Sequence, residues 1–562
     1  LTFKPCANSY DEVPYSSYPY AVSHPNHLAK VAVLLGLNPP RRSYRVLELG
    51  CASGGNLIPM AATQPDCHFV GIDYSTRQIA VGQSTVEQLG LENVELRAQS
   101  ILDMENTLGP FDYIICHGVY SWVSSEVQTK ILELCRQLLT EQGIAYISYN
   151  TQPGWRQRGA LRDMMQYHVQ RQVGSSPAER IAQARGLLEF LVNATAPSDS
   201  SYARLLREQQ ELLAQHSDSY IFHEHLEQHN EPLWFLDFCH RLDQHGLRYL
   251  GEADFSSMVA NKSLSPELQE QLDQLAANLT EKEQYMDFVR NRSFRQTLVC
   301  HARQRPNYSV RGERLRGLWA ATPGRVRGKT SIAGDVSTDD GAGWELKVEQ
   351  GPALSTSVRS TQLAFELLSR AWPERIAVSE LVDQVAQQLA VPALERGQLE
   401  ASLEVALLTA FSSSGGQLLE LSVSPLPPVD REPSENQFVC VSKLARLQAR
   451  QGMPLVNRRH ELFSLMPIDR RILPLLDGSR DNTSVLNELL QQYQAGDLVV
   501  ADEHDVPIAN PQQVSDILSH LLPQRIEIYQ RNSLLEPPFV GSAGTGPDGG
   551  PEHEAIDGSC QL

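Results

Sequence analysis

Short apolar runs and helically spaced apolar residues alternate along the first 150 positions. Arg45–Leu49, His68–Asp73, Val94–Ala98, Phe111–His117 and Ile144–Tyr149 have strand length and are rich in branched and aromatic residues. Between them, Ser75–Leu89 and Glu126–Leu139 carry apolar residues at three-to-four spacing and predict helices, with Glu141-Gln142-Gly143 read as the C-cap of the second. Such alternation predicts an α/β fold, a parallel sheet with helices on both faces, within residues 1–150.

The pattern changes after Asn150. Long amphipathic stretches, 159–172, 177–194 and 200–217, predict a helical insertion or lid over 151–217. Glu231–His245 then reads as a helix, and Arg248–Ala253 and Arg295–Cys300 as the sixth and seventh strands of the same sheet, the last antiparallel at its edge. Residues 218–310 would thus complete the sheet. A stretch rich in Gly, Ser, Thr and Asp makes 311–355 a linker. Three predicted helices and a hairpin-like run at Gln417–Val423 make 356–425 a winged-helix-like module. A proline-rich segment, Ser424–Pro433, leads to a helical module at 436–535, and the Gly/Pro/acid-rich tail 536–562 reads as disordered.

At 562 residues the chain needs several cores, and its 41% hydrophobic and 20% charged residues are those of a soluble globular protein. The formal charge of −19 argues against nucleic acid as a partner, and the arginines between Arg303 and Arg327 read as a solvated connector. Nine scattered cysteines without a C-x-x-C pair indicate neither a disulfide framework nor a zinc ribbon, so a cytoplasmic, reducing setting is expected. His223, His225 and His229 invite a metal reading, with His225 and His229 on one helix face. No third ligand follows at a sensible spacing, so no metal is expected. No apolar run approaches the ~18 residues of a membrane span, and no signal peptide is visible.

The chemistry concentrates in Val46–Asn56 and Gly71-Ile72-Asp73. An apolar run ends in an acid, a glycine-rich turn opens a helix, and a second run ends in Asp about 20 residues further on. This is the layout of a nucleoside pocket in a Rossmann-like sheet. Ala52 stands where a second close-approach glycine would sit, and Glu48 would repel a pyrophosphate. A carboxylate there suits a ligand carrying a sulfonium and an ammonium, so the turn favours S-adenosylmethionine (SAM) over NAD. The expected cofactor contacts are Glu48, Gly50, Cys51, Ala52, Gly54 and Asn56 in the turn, Asp73 on the ribose hydroxyls and Tyr74 beside it. Ser100 and Ile101 would lie near adenine, with His117 and Val119 at the end of the fourth strand.

The chain resembles the bacterial class I SAM-dependent methyltransferases that carry a methyltransferase regulatory domain, among them the lysine methyltransferases acting on rickettsial outer-membrane protein. The resemblance rests on Tyr10–Tyr15, the Val46–Asn56 turn, His117–Val123, Ser148–Trp155, Gly246–Ala253 and Asp287–Arg295, and more loosely on Leu476-Asp477-Gly478. Gln152 departs from it, standing where relatives often carry an aromatic residue. The resemblance implies methyl transfer from SAM, with the C-terminal modules shaping substrate access.

Tyr120, Trp122, Tyr149 and Trp155, with Asn150, are expected to form an aromatic acceptor slot, because ring faces attract an ammonium or sulfonium. His117, Tyr120, Tyr149 and Asn150 are the candidate catalytic residues, His117 as a base or as an orienting hydrogen-bond partner. The expected function is methyl transfer to lysine side chains of a protein. A small-molecule methyltransferase and a non-catalytic SAM-binding regulatory protein are the alternatives, and a homodimer remains open.

Overall fold

The computed structural model describes residues 9–15, 17–171, 175–259, 264–327, 343–426, 438–501 and 506–536. The expected tail beyond 536, most of the proline-rich segment, the glycine-rich centre of the linker and the end of the first insertion helix at 172 lie outside them.

Seven strands form one sheet: β1 Arg45–Leu49, β2 His68–Asp73, β3 Val94–Ala98, β4 Phe111–Cys116, β5 Leu139–Asn150, β6 Leu247–Glu252 and β7 Phe294–His301. Their order is β3-β2-β1-β4-β5-β7-β6. Strands β1 to β5 pair in parallel, and β7 runs antiparallel to both β5 and β6. The seventh strand is therefore not at the edge, as the sequence suggested; it is inserted between β5 and β6, and β6 is the edge. Both faces of β1 and β4 are covered, which is why those strands read as unbroken apolar runs.

Four local expectations change. Glu141-Gln142-Gly143 is not a helix cap: the helix Ser125–Leu138 stops at Leu139, already extended, and β5 starts there. Its register against β4 shifts near Gly143, whose missing Cβ would lie 3.0 Å from the Asp112 carbonyl. The helix expected from Glu231 begins only at Phe235, because residues 231–233 spend their backbone groups on Ser121, Asn150 and Gln152 at the end of the sheet. His225 and His229 do not share a helix face; a single π-helical turn, Phe222–Leu226, ends between them. The apolar run at 417–423 is one strand, Glu420–Ser422, rather than a hairpin. Its partner is Trp319–Ala321, inside the expected linker. Leu315, Leu318, Trp344 and Leu346, from the same stretch, are buried in the large core.

Helices Trp155–Val169, Pro177–Thr195 and Ser201–Ala214, inserted after β5, share a separate core with the π-helical turn. Residues 438–536 form another, around Tyr529 and the long helix Pro511–Arg531. A buried ionic knot ties the late strands together. Arg295 on β7 donates two 2.8 Å bonds to Asp287 and one of 2.6 Å to Glu252 on β6. A fourth reaches Glu283, and the guanidinium lies 3.7 Å from the Phe235 ring centre. No described helix is long and apolar enough to cross a membrane.

Candidate active site

The ends of β1, β2 and β4 converge on the glycine turn. Gly50 has φ +78°, and a Cβ there would meet the Val119 side chain at 2.4 Å, so only glycine lets β1 turn so close to the β4 loop. Ala52 also holds a left-handed φ of +50°. Its amide is anchored there by a 2.8 Å bond to Asp73 Oδ2, while Asp73 Oδ1 accepts the Ser75 amide at 2.8 Å. Each oxygen keeps a lone pair for a diol hydroxyl. Burial raises the Asp73 pKa, an effect partly offset by those two amides.

Glu48 is buried at 3% exposure. Its Oε1 accepts from Asn56 Nδ2 at 2.8 Å, and its Oε2 has no partner. Desolvation, reinforced by the Asp73 charge, pushes its pKa up to about 8 despite the Asn56 bond. An orphaned, buried carboxylate oxygen beside a glycine turn fits a cationic ligand. Gly118, at φ +66° with nothing within 4 Å of its would-be Cβ, leaves open space next to it.

Asn56 is the hub of this network. Its Nδ2 also reaches Ser23 Oγ, and its Oδ1 accepts from the Tyr20 amide at 2.9 Å and from His460 Nε2 at 2.8 Å. His460 lies 404 positions along the chain, in a turn where it adopts φ +64°. Sequence reading found Glu48 and Asn56 but not His460, which no local pattern announces. It also missed the N-terminal strap as part of the site. Ser17 Oγ accepts the Gly55 amide, Asp11 accepts from Ser75 Oγ at 2.5 Å, and the Tyr20 ring stacks on His117 with centroids 3.6 Å apart.

The other expected residues divide. His117 Nδ1 meets Tyr146 Oη at 2.8 Å, and burial lowers its pKa to about 4, so at neutral pH it is an uncharged, weakly basic ring that orients its neighbours. Ser100 caps the short turn Ile101–Asp103, Ile101 packs on the core, and the Tyr74 ring is 70% exposed. Cys51 and Gly54 lie within the turn, with the Cys51 thiol buried against β2.

The aromatic slot does not form as expected. Tyr120 and Tyr149 are core residues, packed on Phe238 at 5.4 and 4.3 Å. Tyr146 and Ser148 point to the His117 side, so Tyr149, one residue on, faces the opposite side of the sheet. Asn150 Nδ2 bonds Asn230, while Trp122 and Trp155 stack edge-on at 6.1 Å. His117, next to Gly118 in the chain, carries the Tyr20 ring against it. The strap continues the ring series with Tyr15, 5.4 Å from His223, and Tyr10, stacked on His223 at 4.6 Å. Next to His223, Glu224 is half-buried, and its pKa is raised to about 7 by desolvation, against the pull of Arg158, His223 and Arg162. Burial raises the phenol pKa values of Tyr10, Tyr15 and Tyr20, with the Glu224 charge a smaller contributor to each.

Known proteins align with this architecture. Residues 40–186 match the family described as a methyltransferase domain, 217–301 a methyltransferase regulatory domain, and 440–534 the C-terminal winged helix domain of PKMT. The uncharacterized protein RP789 of Rickettsia prowazekii is 33% identical over 534 residues, 94% of each chain. Another from that organism, RP028, is 40% identical over 243 residues, 43% of this chain and 96% of its own. The structure of PKMT2 from Rickettsia typhi superimposes with a TM-score of 0.80 at 29% identity, over 93% of this chain and all of that one. The same protein in complex with AdoHcy aligns equally well. The glycine turn, the orphaned acid and likeness over nearly the full length agree: the chain belongs to the class I SAM-dependent methyltransferases that carry a regulatory domain and a PKMT-type winged helix.

Proposed function

We propose that the enzyme methylates lysine ε-amines of a protein substrate, with Glu224 and the strap tyrosines receiving the amine. The observation that carries this reading is a half-buried carboxylate next to His223, on which the Tyr10 and Tyr15 rings pack, with its pKa raised to about 7 by desolvation. The full-length likeness to PKMT2, a protein-lysine methyltransferase by its name, supports it.

In this reading Glu48, the Gly50–Asn56 turn and Asp73 hold SAM, which when bound supplies an electrophilic methyl on a sulfonium. Methyl transfer asks for alignment and desolvation more than for covalent help. Tyr20, resting on His117, walls the approach, and the tyrosine faces attract the incoming ammonium. Glu224 takes the ammonium proton, leaving the lone pair free to attack. Neutral His117 fixes the Tyr146 hydroxyl and competes for no proton.

The test is transfer of labelled methyl from SAM into a fractionated lysate, followed by acid hydrolysis. Label recovered as methyl-lysine is the expected result. Label confined to small molecules would replace this reading by small-molecule methylation, and none, despite SAM binding, by a regulatory role.

A further inference from the structure

Between the helix Pro25–Leu34 and the C-terminal half lies a cavity of about 1300 Å³ that does not include the glycine turn. Its wall brings His24, His27 and Lys30 together with Arg375, Glu420 and Arg459. Three of these groups are cations at least nine-tenths buried: Lys30 is 6% exposed, and the Arg375 and Arg459 side chains 8% and 1%. One carboxylate, Glu420, serves both arginines. Arg375 donates to it at 2.6 Å, and Arg459 pairs with it as well. Of the wall's other acids, Asp66 and Glu461 are exposed, Glu461 still favouring the charge of both arginines at longer range, and half-buried Glu536 faces Arg458.

Lys30 has no such partner among the described residues. Its Nζ lies 3.2 Å from His27 Nδ1 and 5.2 Å from the centre of the Phe411 ring. His27 cannot neutralise it. Its Nε2 donates to the Ala253 carbonyl at 2.7 Å, so Nδ1 is the acceptor of a neutral imidazole. Exposed Asp254 is the one acid that noticeably favours the Lys30 charge. Desolvation and nearby Arg375 lower the Lys30 pKa to about 7, and burial lowers that of Arg459 to about 9. Three buried cations with one carboxylate in direct contact and one exposed acid further off, in a chain of net charge −19, leave the pocket with an excess of positive charge.

We propose that this cavity is a second ligand site, for a small molecule bearing a phosphate group. A phosphate anion balances that excess. The guanidinium forks of Arg375 and Arg459 match its oxygens, and Lys30 supplies a point charge at the wall. The cavity exceeds a bare phosphate, leaving room for an organic body. The proposal is independent of the acceptor in the methyl transfer.

The test is calorimetric titration of the full chain with inorganic phosphate and, separately, with glycerol 3-phosphate, against potassium chloride at matched ionic strength. Saturable binding of one anion per chain is expected, weakened at least tenfold in Lys30→Met, retained in Lys30→Arg and little changed in Arg42→Ala at the exposed rim. Tighter binding of the ester assigns an organic phosphate, and equal or tighter binding of the free ion assigns inorganic phosphate. If Lys30→Met does not fold, Arg375→Lys, which keeps the charge and loses the fork, carries the comparison. No saturable heat with either anion, or binding undiminished in the variants, overturns the proposal.

Discussion

Two carboxylates, Glu48 and Asp73, set the electrostatics of the proposed cofactor pocket. With its pKa near 8, Glu48 holds a proton at pH 6.5 in the free protein, and a bound sulfonium and ammonium make it give that proton up. Asp73, Asn56 and Tyr20 face it, and none supplies a cation. SAM binding at pH 6.5 should therefore release about one proton, read from calorimetry in buffers of different ionisation enthalpy. Affinity should rise up to about tenfold between pH 6 and 7. Asp73→Ala should weaken SAM binding by about 1–3 kcal/mol in the same assay, through loss of charge-assisted hydrogen bonds. Glu224 predicts a second pH effect. Faced by Arg158, Arg162, His223 and the strap tyrosines, it ionises as pH rises through about 7. Single-turnover methylation should climb over that range, and Glu224→Gln should remove the climb and slow transfer by about 10²-fold. A profile unchanged by the substitution would remove Glu224 from the reaction.

Elements were more legible in the sequence than the site they build. Strands β1, β2 and β4 could be read closely because a strand covered on both faces is an apolar run, and the glycine turn could be read because its φ values demand glycine at Gly50. Tyr149 was misplaced although period-two alternation held the answer: Tyr146 and Ser148 already occupy the ligand side. The order of β6 and β7 was beyond local pattern, since long-range pairing decides it. Its signature is the charge set Glu252, Glu283, Asp287 and Arg295, spread over three elements and wholly buried. Arg295→Met should strand Glu283, leave Asp287 and Glu252 to the more distant Arg292, and destabilise the sheet by about 3–5 kcal/mol, measured by urea unfolding. A loss below about 1 kcal/mol would mean the acids are neutral and the knot is not ionic.

Across the whole molecule, the proposed cofactor site is composite. The sheet supplies Glu48 and Asp73, the strap supplies Tyr20, and the 438–536 unit reaches in with His460 to hold Asn56. Such a contact is invisible to sequence reading because the partners are 404 residues apart and His460 carries no motif. It gives the C-terminal unit a physical reason to affect the reaction: without the His460 donor, Asn56 Oδ1 keeps the Tyr20 amide alone, and the amide that bonds Glu48 is held less firmly. The most direct test of this account is the affinity of the full chain for SAM, measured by calorimetry in the wild type, His460→Ala and His460→Gln. The account predicts a five- to tenfold loss in His460→Ala, about 1 kcal/mol for one hydrogen bond, with much of it restored by the amide donor of His460→Gln. Equal affinity in all three folded proteins would contradict it, leaving the C-terminal unit a neighbour of the pocket and not a part of it.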